Sequence, residues 1–123
     1  MANEMTVTMS ISYAKGTDTW NKEVVSVQHD VAAVPRAGGT QTATGSAVAL
    51  AVGGITTSVG FGYFRNLDAS LSIDIGYDSS GFKSMTTLLP GMVAWLHFKA
   101  TIFPQIQRTT SGSPILEYQL FSL

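Results

Sequence analysis

The chain has 123 residues and a mass of 13.1 kDa, enough for one domain with a core of its own and too few for two of ordinary size. Charged residues make up 12% of it, against about 25% in an average protein, and its seven Lys and Arg residues are scattered singly around a formal net charge of −1, so no basic stripe exists for nucleic acid. Cysteine is absent, which excludes disulfides, thiolate metal sites and a cysteine nucleophile.

The opening MANEMTVTMS carries Glu4 and no apolar run, so no signal peptide is expected, and the longest apolar stretch, AVALAV, is far below the ~20 residues of a membrane span. From Met5 the chain alternates strictly. Met5, Val7, Met9, Ile11 and Tyr13 fall on one side and Thr6, Thr8, Ser10 and Ser12 on the other, which predicts a half-buried strand. KGTDT reads as a turn, and Lys22 to Val31 as a second strand with Val25, Val27, His29 and Val31 on one side. Pro35, Gly38 and Gly39 then predict a loop. In Ala47 to Val52 both faces are dry, which fits a central strand of a sandwich, a helical turn or a subunit contact. Gly53-Gly54 predicts a tight turn. Next, Gly60 and Gly62 share one strand face, suggesting a bulge or the close approach of another backbone. GFGYFR lacks the third glycine of a dinucleotide fingerprint and precedes no helical pattern.

Asp68, Asp74 and Asp78 form the densest group of chemically capable side chains. Calcium takes six to eight oxygens from a closely wrapped loop, whereas D-x5-D-x3-D straddles a strand whose inner face is Leu71, Ile73, Ile75 and Tyr77. The three therefore read as punctuation. Asp68 in RNLDAS and Asp78 in DSSG suit turns that bond forward to the backbone. The expected hairpin runs from Asn66 to Leu89 with its tip at Asp78 to Gly81. Pairing Tyr77 with Phe82 sets Asp74 opposite Met85, with Lys83 diagonally in reach of Asp74.

Pro90-Gly91 fits the centre of a type II turn, after which Met92 to Phe98 resumes a strand with His97 on the face of Trp95, as a half-buried hydrogen-bonding histidine. His29 and Asp30 are neighbours and so point to opposite faces, not a ready dyad. Pro104 predicts an edge or bulge in KATIFPQIQR, TTSGSP a loop, and ILEYQLFSL a docked final strand with Leu116, Tyr118 and Leu120 on one side. The whole reads as all-β: a single domain over residues 1–123, a β-sandwich or jelly roll of about eight or nine short antiparallel strands. No GxSxG or HExxH pattern occurs, so the expectation is a non-enzyme with no catalytic, cofactor-binding or metal-ligating residues.

The stretch from Arg65 to Phe98, RNLDASLSIDIGYDSSGFKSMTTLLPGMVAWLHF, resembles small virion structural proteins of tailed bacteriophages: an N-x-D turn, a strand ending in I-G, a hairpin tip, L-x-P-G and an apolar strand. ILEYQLF is similar as well, and Met92 stands where that pattern would carry an acidic residue after Pro-Gly. The resemblance implies a capsid decoration (cement) protein, or else a tail or fibre-associated subunit. Its place would be the virion, after synthesis in the host cytoplasm, and its partners the major capsid protein or other virion subunits. A homo-oligomer is expected, a trimer if it sits at a local threefold of the capsid. Two readings from other classes stay open. One is a carbohydrate-binding sandwich using Trp20, Tyr63, Tyr77 and Trp95; the other is an RNA-packaging coat protein, against which the scattered cations argue.

Overall fold

A computed structural model describes residues 5–29, 36–55, 59–99 and 102–122, with backbone alone for 23–27 and 29. Among these the chain forms ten strands and no helix. It divides into two compact units, Met1–Ala32 and Ala33–Leu123. The first holds a two-stranded ribbon of β1 (Met5–Lys15) and β2 (Asp18–His29), with Lys15 opposite Asp18. Gly16 supplies the positive φ, +61°, that a two-residue hairpin loop of this kind needs. A bulge lies between the Val7 and Met9 pairings, and the additional residue is on β2.

The second unit holds β3 (Arg36–Thr42), β4 (Val48–Ala49), β5 (Val59–Asn66), β6 (Ile73–Asp78), β7 (Phe82–Leu88), β8 (Val93–His97), β9 (Gln105–Arg108) and β10 (Ile115–Ser122). They make two four-stranded sheets, β3-β10-β5-β8 and β4-β9-β6-β7, antiparallel throughout. The pairs nest like one long folded hairpin: β6 with β7, β5 with β8, β4 with β9, and β3 with β10. Rolling that hairpin up adds the β5–β10 and β6–β9 contacts, which is the jelly-roll architecture.

Alternation builds the core between the sheets. Phe64, Leu116, Tyr118 and Leu120 come from one sheet, and Ile73, Ile75, Leu88 and Ile106 from the other, all buried. Of the two expectations for the glycines of β5, the bulge is found, and the close approach is by side chains rather than by another backbone. Gly60 is skipped where Val59 and Phe61 pair with Ser122 and Phe121, a bulge. At Gly62 a Cβ would fall 2.6 Å from two ring carbons of Phe64 and 3.1 Å from Leu120, so the residue leaves room for a buried ring. That ring meets Phe98 edge-on at 5.9 Å.

Four expectations are corrected. Residues 36–42 form edge strand β3 rather than a loop; its glycines do not end the ladder, because Gly38 gives its space to the Gln119 side chain across from it. Ala47 to Val52 is not a central strand: only Val48–Ala49 pairs, at the edge beside β9. The rest is held by side chains and a loop carbonyl. Gln41 Nε2 donates to Ala49 O and its Oε1 accepts from Ala51 N, Leu50 N donates to Pro104 O, and Tyr118 Oη donates to Ala51 O at 3.0 Å. The hairpin is Ile73–Leu88, since Asn66 ends β5 in the opposite sheet; Asp78 pairs with Phe82, and a bulge at Met85 sets Asp74 opposite Thr87. Finally, Pro104 precedes β9, an interior strand that begins at Gln105, so it interrupts no ladder.

Because Phe64 is fully buried against Phe98, its ring cannot yield to a methyl group at position 62. Gly62→Ala is expected to destabilise the fold by about 1–3 kcal/mol through overpacking, measured as a lower midpoint of urea unfolding. An unchanged midpoint would show that the ring has other room.

Candidate functional site

Asn66 is the one large polar residue buried among the described residues, at 0% exposure. All of its N–H donors are engaged, and each of its two oxygens accepts a hydrogen bond. Nδ2 donates to Leu71 O at 2.7 Å and Leu88 O at 3.0 Å, Oδ1 accepts from Asp68 N at 3.0 Å, the backbone N–H donates to Met92 O, and the carbonyl accepts from Gly91 N. One side chain thus ties the turn after β5 to the turn before β8. The second turn is the expected one, with Met92 N donating to Leu89 O and Gly91 at φ +75°.

Around this buried polar hub the surface is apolar. Leu67, Leu89, Met92, Val93 and Ile115 are 43–60% exposed and come together at one end of the sandwich, where Leu67 N donates to Ile115 O and Val93 pairs with Arg65. Five such side chains expose on the order of 400 Å², the size of the largest apolar patch on an ordinary monomer and often a functional one. A second group, Met9, Ile11, Tyr13 and Trp20, lies on the ribbon, with Tyr13 directly opposite Trp20. These strand residues are exposed, against the half-buried face expected of β1. The two groups hold nine of the eleven exposed large apolar residues described, so the exposure is concentrated rather than scattered.

On the outer face of β10-β5-β8 the aromatic rings line up. Phe61 stacks on Trp95 at 5.7 Å and on His97 at 4.6 Å, both nearly parallel, and Trp95 tilts toward Phe121. His97 shares the face of Trp95 as expected but is an exposed stacking ring rather than a half-buried hydrogen-bonder. Tyr63 Oη donates to Glu117 at 3.2 Å; burial first, and then this bond, push its phenol above the ordinary value. Rings stacked at about the 4.7–4.9 Å strand spacing stand on edge across the sheet, so Phe61 meets Trp95 and His97 face to face. Of the four aromatics weighed for sugar stacking, Tyr63 and Trp95 stand directly opposite each other. Trp20 is in the ribbon and Tyr77 in the other sheet.

The three aspartates lie apart, each in its own local bonding. Asp68 Oδ1 accepts from Ser70 N at 2.8 Å and Leu71 N at 2.7 Å, Asp78 Oδ1 accepts from Gly81 N, and Asp74 accepts from Thr87 Oγ1 rather than meeting Lys83. Among the described residues no three His, Cys, Asp or Glu side chains are grouped as metal ligands would be. Asp30 lies outside the described residues, and with it the His29–Asp30 pair. The apolar end was not among the expected sites. Its signal is LLPGMV, a turn whose flanks are apolar where a solvent turn is ordinarily polar.

The backbone N–H groups of Ser70 and then Leu71 hold the Asp68 carboxyl below its ordinary value. A depressed folded value means that the contribution is present above the unfolded value near ~4 and is lost as pH falls through the folded one. Asp68→Asn is therefore expected to be less stable than the parent at pH 7 and equal to it in strong acid; equal melting temperatures at pH 7 would remove the role. Asn66→Asp puts a carboxylate oxygen against two carbonyls. A loss of about 3–5 kcal/mol at neutral pH is expected in urea unfolding, as for a buried charge left without a partner, shrinking in acid as the neutral carboxyl regains one donor.

A comparison with family models, curated proteins and solved structures finds no match for this chain.

Proposed function

We propose that the chain is a non-enzymatic structural protein of a tailed-phage particle, a capsid decoration protein that stabilises the head through apolar contacts with the major capsid protein. The observation that carries the reading is the apolar end of the sandwich, Leu67, Leu89, Met92, Val93 and Ile115, held on the Asn66 hub. The N-x-D and L-x-P-G turns that carry the resemblance to virion proteins are the two turns this hub joins. An apolar surface braced by a satisfied buried amide is suited to permanent contact, since it meets a partner without burying unpaired charge. A tail or fibre position would use the same surface. The carbohydrate reading has less support, because its four aromatics are divided among the ribbon and both sheets, with Tyr63 and Trp95 the one directly paired couple.

Met92→Lys combined with Val93→Lys sets two charges in the contact while leaving the hub bonds, which are made by backbone at these positions, in place. Co-sedimentation with decoration-free capsids is expected for the parent, with little change between low and high salt, and at least tenfold weaker for the double variant. Failure of the parent to co-sediment with any virion fraction would remove the reading. Release by moderate salt would keep the role and refute the apolar contact.

A further inference from the structure

We propose that β1 is a self-pairing edge, joining antiparallel to β1 of a second copy about a two-fold axis at Met9 or Ser10. The inference stands on the ribbon itself and not on the capsid reading. Among the described strands β1 pairs with β2 and with no other. The two edges of the ribbon are unlike. β2 carries Asp18, Lys22 and Glu23 and the additional residue of the bulge, the devices by which sheets discourage stray pairing. β1 carries none of them from Met5 to Ala14: ten residues without a charge, a proline or a glycine.

A strand with strict alternation is complementary to its own reverse. When the two-fold falls on a residue, odd positions meet odd positions, so the apolar sides of both copies share one face and the Ser and Thr sides the other. Centring on Met9 or Ser10 overlaps the uncharged run most fully and keeps the two Lys15 residues far from each other. Such a contact is isologous and closes at two copies, so it yields a four-stranded sheet, β2-β1-β1-β2, and a dimer rather than the trimer that capsid symmetry suggests. With a net charge of −1 the copies scarcely repel. The nine residues that overlap, at ~3.4 Å each across a sheet about 10 Å thick, give a contact of roughly 600 Å² in total. A standard stable interface buries about 1,200–2,000 Å². Pairing is therefore concentration-dependent, weak in dilute solution and strong where copies are held side by side, since local concentration then substitutes for affinity.

The chain has no cysteine, so single cysteines report the geometry without background. Met9→Cys, Ser10→Cys and Tyr13→Cys are oxidised across a protein concentration series, and each is checked in parallel by sedimentation velocity under reducing conditions. Residues facing themselves across an antiparallel pair lie about 4.5–5.5 Å apart at Cα, within disulfide reach, whereas Tyr13 and its copy would be several strand residues apart. The expected result is a cross-linked dimer at position 9 or 10 and none at 13, with reversible dimers appearing as concentration rises. Equal cross-linking at all three positions, a discrete trimer, or a monomer at every concentration would overturn the pairing. A monomer that still co-sediments with capsids fails here and leaves decoration standing, while a dimer that never binds them does the reverse.

Discussion

The end of the sandwich that carries the exposed apolar patch depends on one buried amide. Two turns must lie side by side there, one leaving β5 and one entering β8; Asp68 closes the first and a Met92 N to Leu89 O bond the second, but neither of these reaches the other turn, and Leu67, Leu89 and Met92 are exposed. Asn66 fastens both from within. Its two N–H bonds reach carbonyls on separate segments, and its oxygen caps the start of the N-x-D turn. Of the common side chains, only an amide presents two donors and an acceptor at this length, so the geometry specifies Asn and rejects its isosteres Asp and Leu. No buried side-chain nitrogen or oxygen described is left without a partner, and the outside of this end is thereby free to be apolar.

Elsewhere, small residues and amides settle where backbones can approach. Gly62 leaves the place that Phe64 fills, and Gln41 supplies to Ala49 and Ala51 the donor and acceptor that a neighbouring strand would supply. This substitution lets β4 stop after two paired residues while Leu50 still reaches the core at 3% exposure. Tyr118 then binds the two layers directly, its ring in the core and its hydroxyl on Ala51 O.

Turn chemistry and period-two alternation were legible where each decides the outcome alone. Pro90-Gly91 fixes its turn through two backbone constraints, Asp68 and Asp78 bond forward as short acidic side chains do, and Leu116, Tyr118 and Leu120 fall inward together. What stayed hidden depended on residues distant in sequence. Gly38 and Gly39 look like a loop until Gln119 is placed over Gly38, and the alternation of Ala47 to Val52 does not reveal that Gln41 substitutes for a strand. The slip at Met85 arises in a single residue, and it exchanges the partner of Asp74 from Lys83 to Thr87. For the site, alternation identified the apolar stripe of β1 but not whether anything covers it, since periodicity reports which side a residue takes and not its surroundings. The patch around Asn66 escaped because its members, Leu67, the Leu89–Val93 turn and Ile115, come from three separate segments.

The nested order of the strands also imposes a schedule. Pairing of β6 with β7 closes across a few residues, whereas β3 must find β10 with Thr42 against Ile115. Yet β10 lies in the interior of its sheet, between β3 and β5, although it is the last of the eight in chain order. Until it arrives, β3 has no neighbour and β5 keeps one side open. High contact order slows folding of this kind, since distant pairings bear the entropy of loop closure first. A chain still emerging from the ribosome can complete the β4-β9-β6-β7 sheet but not its counterpart, so β10 acts as the closing key, and the interval before it docks is when stray pairing between copies is most dangerous.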